Sequence, residues 1–180
     1  MAESLEVQRA ALNEWLVAAR PALERKEWRS AFAGYPRADL RDLPIPWAPA
    51  PVDVRSARFT LVGSAGLSLP WQPPFDTAGL AGLGGDPTWR SFPVDTALDA
   101  TTITHEHYSH AAAEQDRNAV FPLERLRALA SAGEIGGLTE THFSFMGYQP
   151  DWAMVMDAFA PRLAASIAQE RPDAVLLVPV

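Results

Sequence analysis

Two short runs, Arg58-Phe-Thr-Leu-Val-Gly63 and Ala174-Val-Leu-Leu-Val178, restrict this chain more than any other feature. Both are short and apolar and neither alternates; the first has the pattern of a buried parallel strand, and the second is a pure strand signal. Two more strands are expected near residues 101–104 and 140–146. A helix over residues 122–130 carries Leu123, Leu126, Leu129 and Ala130 on one stripe. Pro122 stands at its permitted first turn, and Gly133 with Gly136-Gly137 stops it. Another helix runs from Pro150-Asp151-Trp152 to about Gln169, kinked or split at Pro161. Strand, crossover, strand, helix, strand is an α/β order. It predicts a mostly parallel sheet flanked by helices in three layers, Rossmann-like or flavodoxin-like.

Ahead of this body, residues 3–28 place Leu5, Leu12, Trp15, Leu16, Ala19 and Leu23 at three- and four-residue steps. That is one face of an amphipathic helix, interrupted or restarted at Pro21. It packs on its own domain or docks onto a second subunit. Residues 32–54 read as a linker, because Pro36, Pro44, Pro46, Pro49 and Pro51 forbid regular helix and disfavour a central strand. Trp47 is expected to pin it to the body. The chain is read as one domain, residues 1–180, with the helix and linker over 1–54 and the α/β body over 55–180. Residues 67–93 form a long irregular stretch containing Pro73-Pro74 and Gly84-Gly85-Asp86-Pro87. Such loops serve as lids, binding loops or inter-subunit arms. Its aromatics, Trp71, Phe75, Trp89 and Phe92, hold it down.

The chain has 180 residues, enough to bury a core without staples. Its net charge of −7 and the lack of a Lys/Arg run argue against a nucleic-acid partner. No apolar stretch approaches the ~20 residues of a membrane helix, and the acidic start MAESLEV is no secretion signal, so the expected location is cytoplasmic. Cysteine is absent, which excludes disulfides, thiolate ligands and chemistry on the chain's own thiols.

Three of the four histidines fall in Thr101-Thr-Ile-Thr-His-Glu-His-Tyr-Ser-His110, directly after a β-branched run. His105 and His107 would point the same way from an extended segment, and His110 would return from a turn. Three imidazoles with a carboxylate or water make an open site for a divalent metal, Zn or Fe, that activates a water or a substrate atom. His105, His107 and His110 are the candidate ligands, and His142 completes the set only if the fold brings it round. Glu106, Glu114 and Asp116 supply carboxylates, as ligands, bases or partners that orient the rings. Acid–base or substrate-binding use of one or two histidines, or a solvated or helix-capping role, are the other readings. The loop Gly63-Ser-Ala-Gly66 follows a strand and could offer N–H groups to an anion, or form an ordinary turn. Gly63, Ser64, Gly66, Arg90, Arg117 and Asn118 are the candidate substrate-binding residues. Glu106, Asp116 and Tyr148 are the candidate catalytic ones. Asp116-Arg117-Asn118 reads equally as a capping and ion-pair device, and Arg90 as a surface residue. Ligands in α/β sheets bind at the carboxyl ends of strands, where residues 63–66, 105–110 and Gly147-Tyr148 should meet. His142, early in its strand, belongs at the opposite edge. No Gly-x-Ser-x-Gly elbow surrounds Ser64 or Ser68, and no nucleotide-cofactor motif is present.

Several blocks resemble the selenoprotein B family of the glycine, sarcosine, betaine and D-proline reductases. They are Gln72-Pro-Pro-Phe-Asp76, Gly85-Asp86 with Arg90, Thr104-His105 through Tyr108 and His110, Asp116-Arg-Asn118, Phe121-Pro122-Leu-Glu-Arg-Leu126, Gly133-Glu-Ile-Gly136 and Phe145-Met-Gly-Tyr148. The series runs from about residue 57 to the last residue. The resemblance implies an α/β domain and, in the full family, a subunit that reductively cleaves C–N bonds of small amino-acid-like substrates. There a selenocysteine or cysteine follows the strand corresponding to residues 174–178. This chain has no position onto which that residue can be carried. Three readings follow: a small metal-dependent enzyme working through the histidines, a non-catalytic ligand-binding or assembly subunit, or an oxidoreductase component that borrows a partner's thiol. A homodimer or a partner subunit is expected.

Overall fold

The computed structural model describes residues 4–39, 41, 47–49, 53–78 and 85–180. Pro44, Pro46 and Pro51 of the linker, and Gly84, lie outside the described residues. In chain order the elements are α1 (Leu5–Glu24), α2 (Trp28–Ala31), β1 (Arg58–Gly63), β2 (Leu67–Ser68), β3 (Trp89–Pro93), β4 (Thr102–Ile103), α3 (Ala111–Gln115) and α4 (Leu123–Ser131). After them come β5 (Gly137–Leu138), β6 (Thr141–Phe145), α5 (Trp152–Met154), a π-helical turn (Val155–Phe159), α6 (Ala160–Gln169) and β7 (Ala174–Val178).

The two apolar runs lie side by side in the sheet. Phe59 is paired with Leu138 on one side and Ala174 on the other, and Val62 with Phe143 and Leu177, so β1 is central. All three of its pairings are parallel, as the sequence implied. β3 extends the sheet antiparallel to β6 and makes it mixed. Side chains alternate across it. Leu61 and Phe92 enter one core with Leu123 and Leu126 of α4, whereas Val62 and Phe143 enter another with Phe159 and Leu163. The result is an α/β architecture with helices against both faces and a helical N-terminal unit. Burying each such Leu or Phe contributes about 1.5–3 kcal/mol.

Several local expectations are corrected. The run at residues 101–104 stays out of the main sheet, because only Thr102 and Ile103 pair, antiparallel with Ser68 and Leu67. The stretch 67–93, read as irregular, contains β2 and β3. Pro21 does not break α1, which runs through it. Val17, whose carbonyl loses its partner, is 73% exposed, so water can solvate that oxygen. Pro161 stands in the first turn of α6 directly after the π-helical turn, where the wider coil relieves the ring's clash with the preceding backbone. Trp47 is 84% exposed and does not pin the linker to the described body. Phe75 and Phe92 do hold their loop down, but Trp71 is exposed.

The N-terminal helix packs on its own chain. Leu12, Trp15, Leu16, Ala19 and Leu23 of α1 form a core with Ala31, Phe32, Tyr35 and Trp152. Trp15 Nε1 ties α1 to α2 by donating to the Ala31 carbonyl at 3.0 Å. Among the described residues no helix is long and apolar enough to cross a membrane.

Candidate functional site

The carboxyl ends of β1, β6 and β7 are stitched together by the loop 63–66. Ser64 N–H donates to the Val178 carbonyl at 3.1 Å, and Gly66 N–H to the Phe145 carbonyl at 2.8 Å. The Ser64 carbonyl accepts from Gly147 N–H at 2.9 Å, and its Oγ from Val180 N–H at 2.9 Å. The loop's backbone therefore serves the fold. A Cβ on Gly63 would lie 2.8 Å from the Phe121 ring. Gly66 has φ +67°, and a Cβ there would lie 2.8 Å from the His105 Cβ. These glycines bring the strand end against protein groups, with His105 held over Gly66.

His105 is 3% exposed. Its Nδ1 faces the His107 N–H at 3.0 Å and its Nε2 faces the Tyr148 N–H at 3.0 Å. A neutral imidazole has only one free lone pair on its nitrogens, so each tautomer satisfies one of these donors and opposes the other. A cation would oppose both. Burial pushes the His105 pKa down to about 4, with His107 and His110 adding to the fall. His110 Nε2 donates to the His105 carbonyl at 2.6 Å. The His107 ring stacks on Tyr148, centroids 4.0 Å apart and planes at 17°. Trp28 meets both rings edge-on, at 4.7 Å from His107 and 5.9 Å from Tyr148.

These contacts belong to an unbroken chain of rings. From Trp15 it passes through Phe32, Tyr148 and His107 to His105, Tyr108 and His110. The Tyr148 hydroxyl is buried with no partner among the described residues. Burial pushes its pKa up to about 12, with Tyr35 adding to the rise. The phenol therefore stays protonated and can only gain from an incoming acceptor. Glu106 lies at the rim in an exposed ion pair with Lys26 at 3.0 Å.

The remaining candidates are elsewhere. Asp116, Arg117 and Asn118 line an open polar cleft of about 490 Å³ with Asp99, Glu114 and Glu124. Within it Asp116 accepts from Asn118 and Arg125. The Asn118 Oδ1 accepts from the N–H of Glu124 and of Arg125, which caps α4 where Pro122 has no capping side chain. The Arg117 guanidinium donates to the Ala113 carbonyl. Arg90 is 7% exposed, which corrects the expectation of a surface residue. It donates to the carbonyls of Pro73 (2.7 Å), Pro74 (3.0 Å) and Trp89 (3.1 Å) and to the Thr88 hydroxyl, and lies 4.0 Å over the Phe75 ring. It thus clasps the loop shut.

His142 is fully buried near the other end of β6 and does not join the histidine loop. Its Nδ1 accepts from the Leu61 N–H at 3.0 Å. The four histidines do not fit a shared divalent ion. His105 turns both nitrogens to N–H donors, His110 Nε2 is spent on a carbonyl and His142 is in the sheet. Among the described residues no three or more His, Asp or Glu side chains converge as ligands.

The sequence reading brought residues 63–66, His105 and Gly147-Tyr148 together, and the structure does the same. It did not foresee Trp28, Phe32 and Tyr35, which close over them. Their spacing of four and three residues was the available signal, a helix-period aromatic stripe next to a proline-rich segment.

Residues 44–180 match the glycine/sarcosine/betaine reductase selenoprotein B family. The D-proline reductase subunit gamma of Acetoanaerobium sticklandii is 28% identical over 134 residues, which cover 74% of this chain and 53% of that protein. This chain therefore spans about half the length of the curated relative it matches. No solved structure matches it. A match that covers the whole sheet, the histidine loop and the Gly147-Tyr148 turn agrees with the resemblance read from the motifs: this chain belongs to the glycine/sarcosine/betaine reductase selenoprotein B family.

Proposed function

We propose that this chain is the cysteine-free, substrate-handling part of a reductase of its family. It seats a small amino-acid-like molecule at the carboxyl edge of the sheet, beside Tyr148 and His107. The observation that carries this reading is the meeting of Gly66, His105, Gly147 and Tyr148 at the strand ends in a chain without cysteine. Reductive cleavage of a C–N bond needs two electrons and two protons. Two thiols, or a selenol and a thiol, supply them on becoming a disulfide or a selenenyl sulfide. The broken carbon and nitrogen each gain a hydrogen. No pair of groups in these 180 residues does this, so the sulfur or selenium comes from outside them. The relative is by name a subunit, which supports a partner subunit as the donor. In this reading the Tyr148 hydroxyl donates to the substrate carboxylate, and neutral His105 fixes the Tyr148 backbone.

NMR titration of the chain with D-proline, glycine, sarcosine and betaine should shift the resonances of Tyr148, His107 and Gly66. Dithiothreitol should give no turnover with the chain alone, and a thiol- or selenol-bearing partner subunit should restore it. Turnover by the isolated chain, or no binding of any of the four, refutes the reading.

A second seat is favoured by one observation: Asp116, Arg117 and Asn118 line the 490 Å³ cleft, which falls in the size range of small-molecule sites. There Arg117 would take the carboxylate and Glu114 or Asp99 the ammonium group. If Arg117→Met abolishes binding and Tyr148→Phe leaves it unchanged, the substrate sits in that cleft.

A further inference from the structure

The N-terminal helical unit reaches the body at two places of different character. At one, Trp152 Nε1 donates to the Pro36 carbonyl at 2.9 Å, the Tyr35 hydroxyl donates to the Pro150 carbonyl at 3.0 Å, and Arg9 forms an ion pair with Asp157. Trp152 is also part of the unit's own apolar core. This place is fully bonded and serves as an anchor. At the other, α2 and the residue after it lay Trp28 and Phe32 against His107 and Tyr148, and Lys26 reaches the exposed Glu106. Here the contacts are ring edges and one solvated ion pair, and the polar groups beneath are badly served. The Tyr148 hydroxyl is buried without a partner among the described residues, and His105 faces two N–H donors with one lone pair. Both α1 and α2 lie ahead of residue 44, outside the part of the chain that matches the family.

We propose that the N-terminal unit is a lid over the carboxyl-edge site, anchored at Trp152 and seated by Trp28 and Phe32 on the rings of His107 and Tyr148, and that it lifts to admit the substrate. This rests on the reading of that edge as the substrate site. A closed seat that leaves a buried hydroxyl unpaired is destabilised relative to an open one, in which water or a carboxylate takes the hydrogen bond. The lid therefore controls access to Tyr148, and an arriving carboxylate stabilises the lifted state by the bond that the closed state lacks.

The absence of native cysteine makes a paired label clean. Nitroxides on Arg29→Cys, in α2, and Ser109→Cys, in the histidine loop, are both exposed and report the separation of lid and body by pulsed electron spin resonance. Two distance populations are expected. Trp28→Ala should raise the longer one at least threefold, and Lys26→Glu, which reverses an exposed ion pair without touching the core, should raise it as well. Tyr148→Phe removes the unpaired hydroxyl but keeps the ring, so it should deplete the longer population and weaken amino-acid binding at least tenfold. One unchanging distance in all these proteins overturns the lid, and so does a longer population that grows in Tyr148→Phe. Binding of D-proline, glycine, sarcosine or betaine without any change of distance overturns the lid and spares the functional reading. Lid movement in the variants with no binding of any of the four does the reverse.

Discussion

Removing the imidazole of His142 tests how the sheet itself is built. From Phe59 to Val62, β1 advances three residues while its partner advances five, from Leu138 to Phe143. The ladder therefore has a gap opposite Thr60 and Leu61, where the partner strand bulges. Thr139 fills one side, with its N–H on the Phe59 carbonyl at 3.0 Å and its Oγ1 2.7 Å from that of Thr60. His142 fills the other, as its Nδ1 takes the Leu61 N–H that would otherwise meet a strand carbonyl. His142→Ala leaves that N–H buried and unpaired, at about 1–3 kcal/mol. It also opens a void that costs on the order of 1–2 kcal/mol in a site this enclosed. Against this stands relief for Nε2, which has no partner among the described residues and adds about 1 kcal/mol of strain to the wild type. The net expected loss is about 1–4 kcal/mol. His142→Asn offers its Oδ1 to Leu61 N–H and should recover about half of it. His142→Phe keeps the volume but not the acceptor, and should recover less. Urea denaturation at pH 7.5, with the slope checked for constancy, gives the three values. If alanine costs under about 0.5 kcal/mol, or asparagine costs as much as alanine, the histidine is not completing the ladder and the reasoning fails.

Acid should reveal the same residue. Burial holds the folded-state pKa of His142 at about 4, with Arg127 lowering it and Glu170 raising it, and His105 is also held at about 4. Both lie below the unfolded value of about 6.5, so the unfolded chain binds more protons between pH 6.5 and 4. Stability is then full above pH 6.5 and lost as pH falls to 4, by roughly 3 kcal/mol per histidine; His142→Asn should halve the slope of denaturation midpoint against pH. Gly66→Ala forces an L residue into φ +67° with its Cβ against His105, so a loss of about 2–3 kcal/mol is expected in the same denaturation assay. Arg90→Lys keeps the charge but loses the fork that serves Pro73, Pro74 and Thr88 together; about 2–4 kcal/mol should be lost, and hydrogen exchange over residues 72–78 should quicken. Elemental analysis of tag-free protein should find well under one Zn or Fe per chain, and a chelator should leave the melting temperature unchanged, because both His105 nitrogens, His110 Nε2 and His142 Nδ1 already face backbone groups.

What the sequence disclosed, and what it hid, follows from how far each signal depends on distant partners. β1 was legible because a strand buried over most of its length is mostly apolar, and β7 because its run is apolar, although it pairs only with β1 among the described residues and leaves Val175, Leu176 and Leu177 exposed. β3 was not, since its inward residues are Phe92 and Arg90, and an inward arginine reads as surface until the carbonyls of Pro73 and Pro74 are seen to meet it. The β-branched run at 101–104 overstated its strand, because propensity says nothing of whether a partner edge is available. The histidines were the hardest case. Their spacing in sequence was compatible with ligation, yet the use of the His105 nitrogens and of His142 Nδ1 is decided by which backbone group lies opposite. Those groups come from Leu61, Tyr148 and the loop's own turn. For the histidines, only their distribution between the two ends of the sheet was readable beforehand, because a parallel strand's direction fixes which end each loop occupies.

The absence of cysteine and the arrangement at the strand ends belong to one argument. A thiol or selenol that arrives from outside must reach the substrate across an edge that is not already filled. Beside Tyr148 that edge is now covered by protein rings, and it is one of the places where hydrogen-bonding needs are left unmet among the described residues. In a fold whose other backbone groups are so fully paired along β1, such deficits are destabilising unless another molecule corrects them. The rings that cover the edge belong to α2 and its neighbour, and the family match begins beyond them. Closing the edge with a helical unit that meets it through ring edges and one solvated ion pair, while anchoring that unit at Trp152, lets the site exclude water when empty. It also leaves the site open to both a substrate and a sulfur-bearing partner once the unit is displaced.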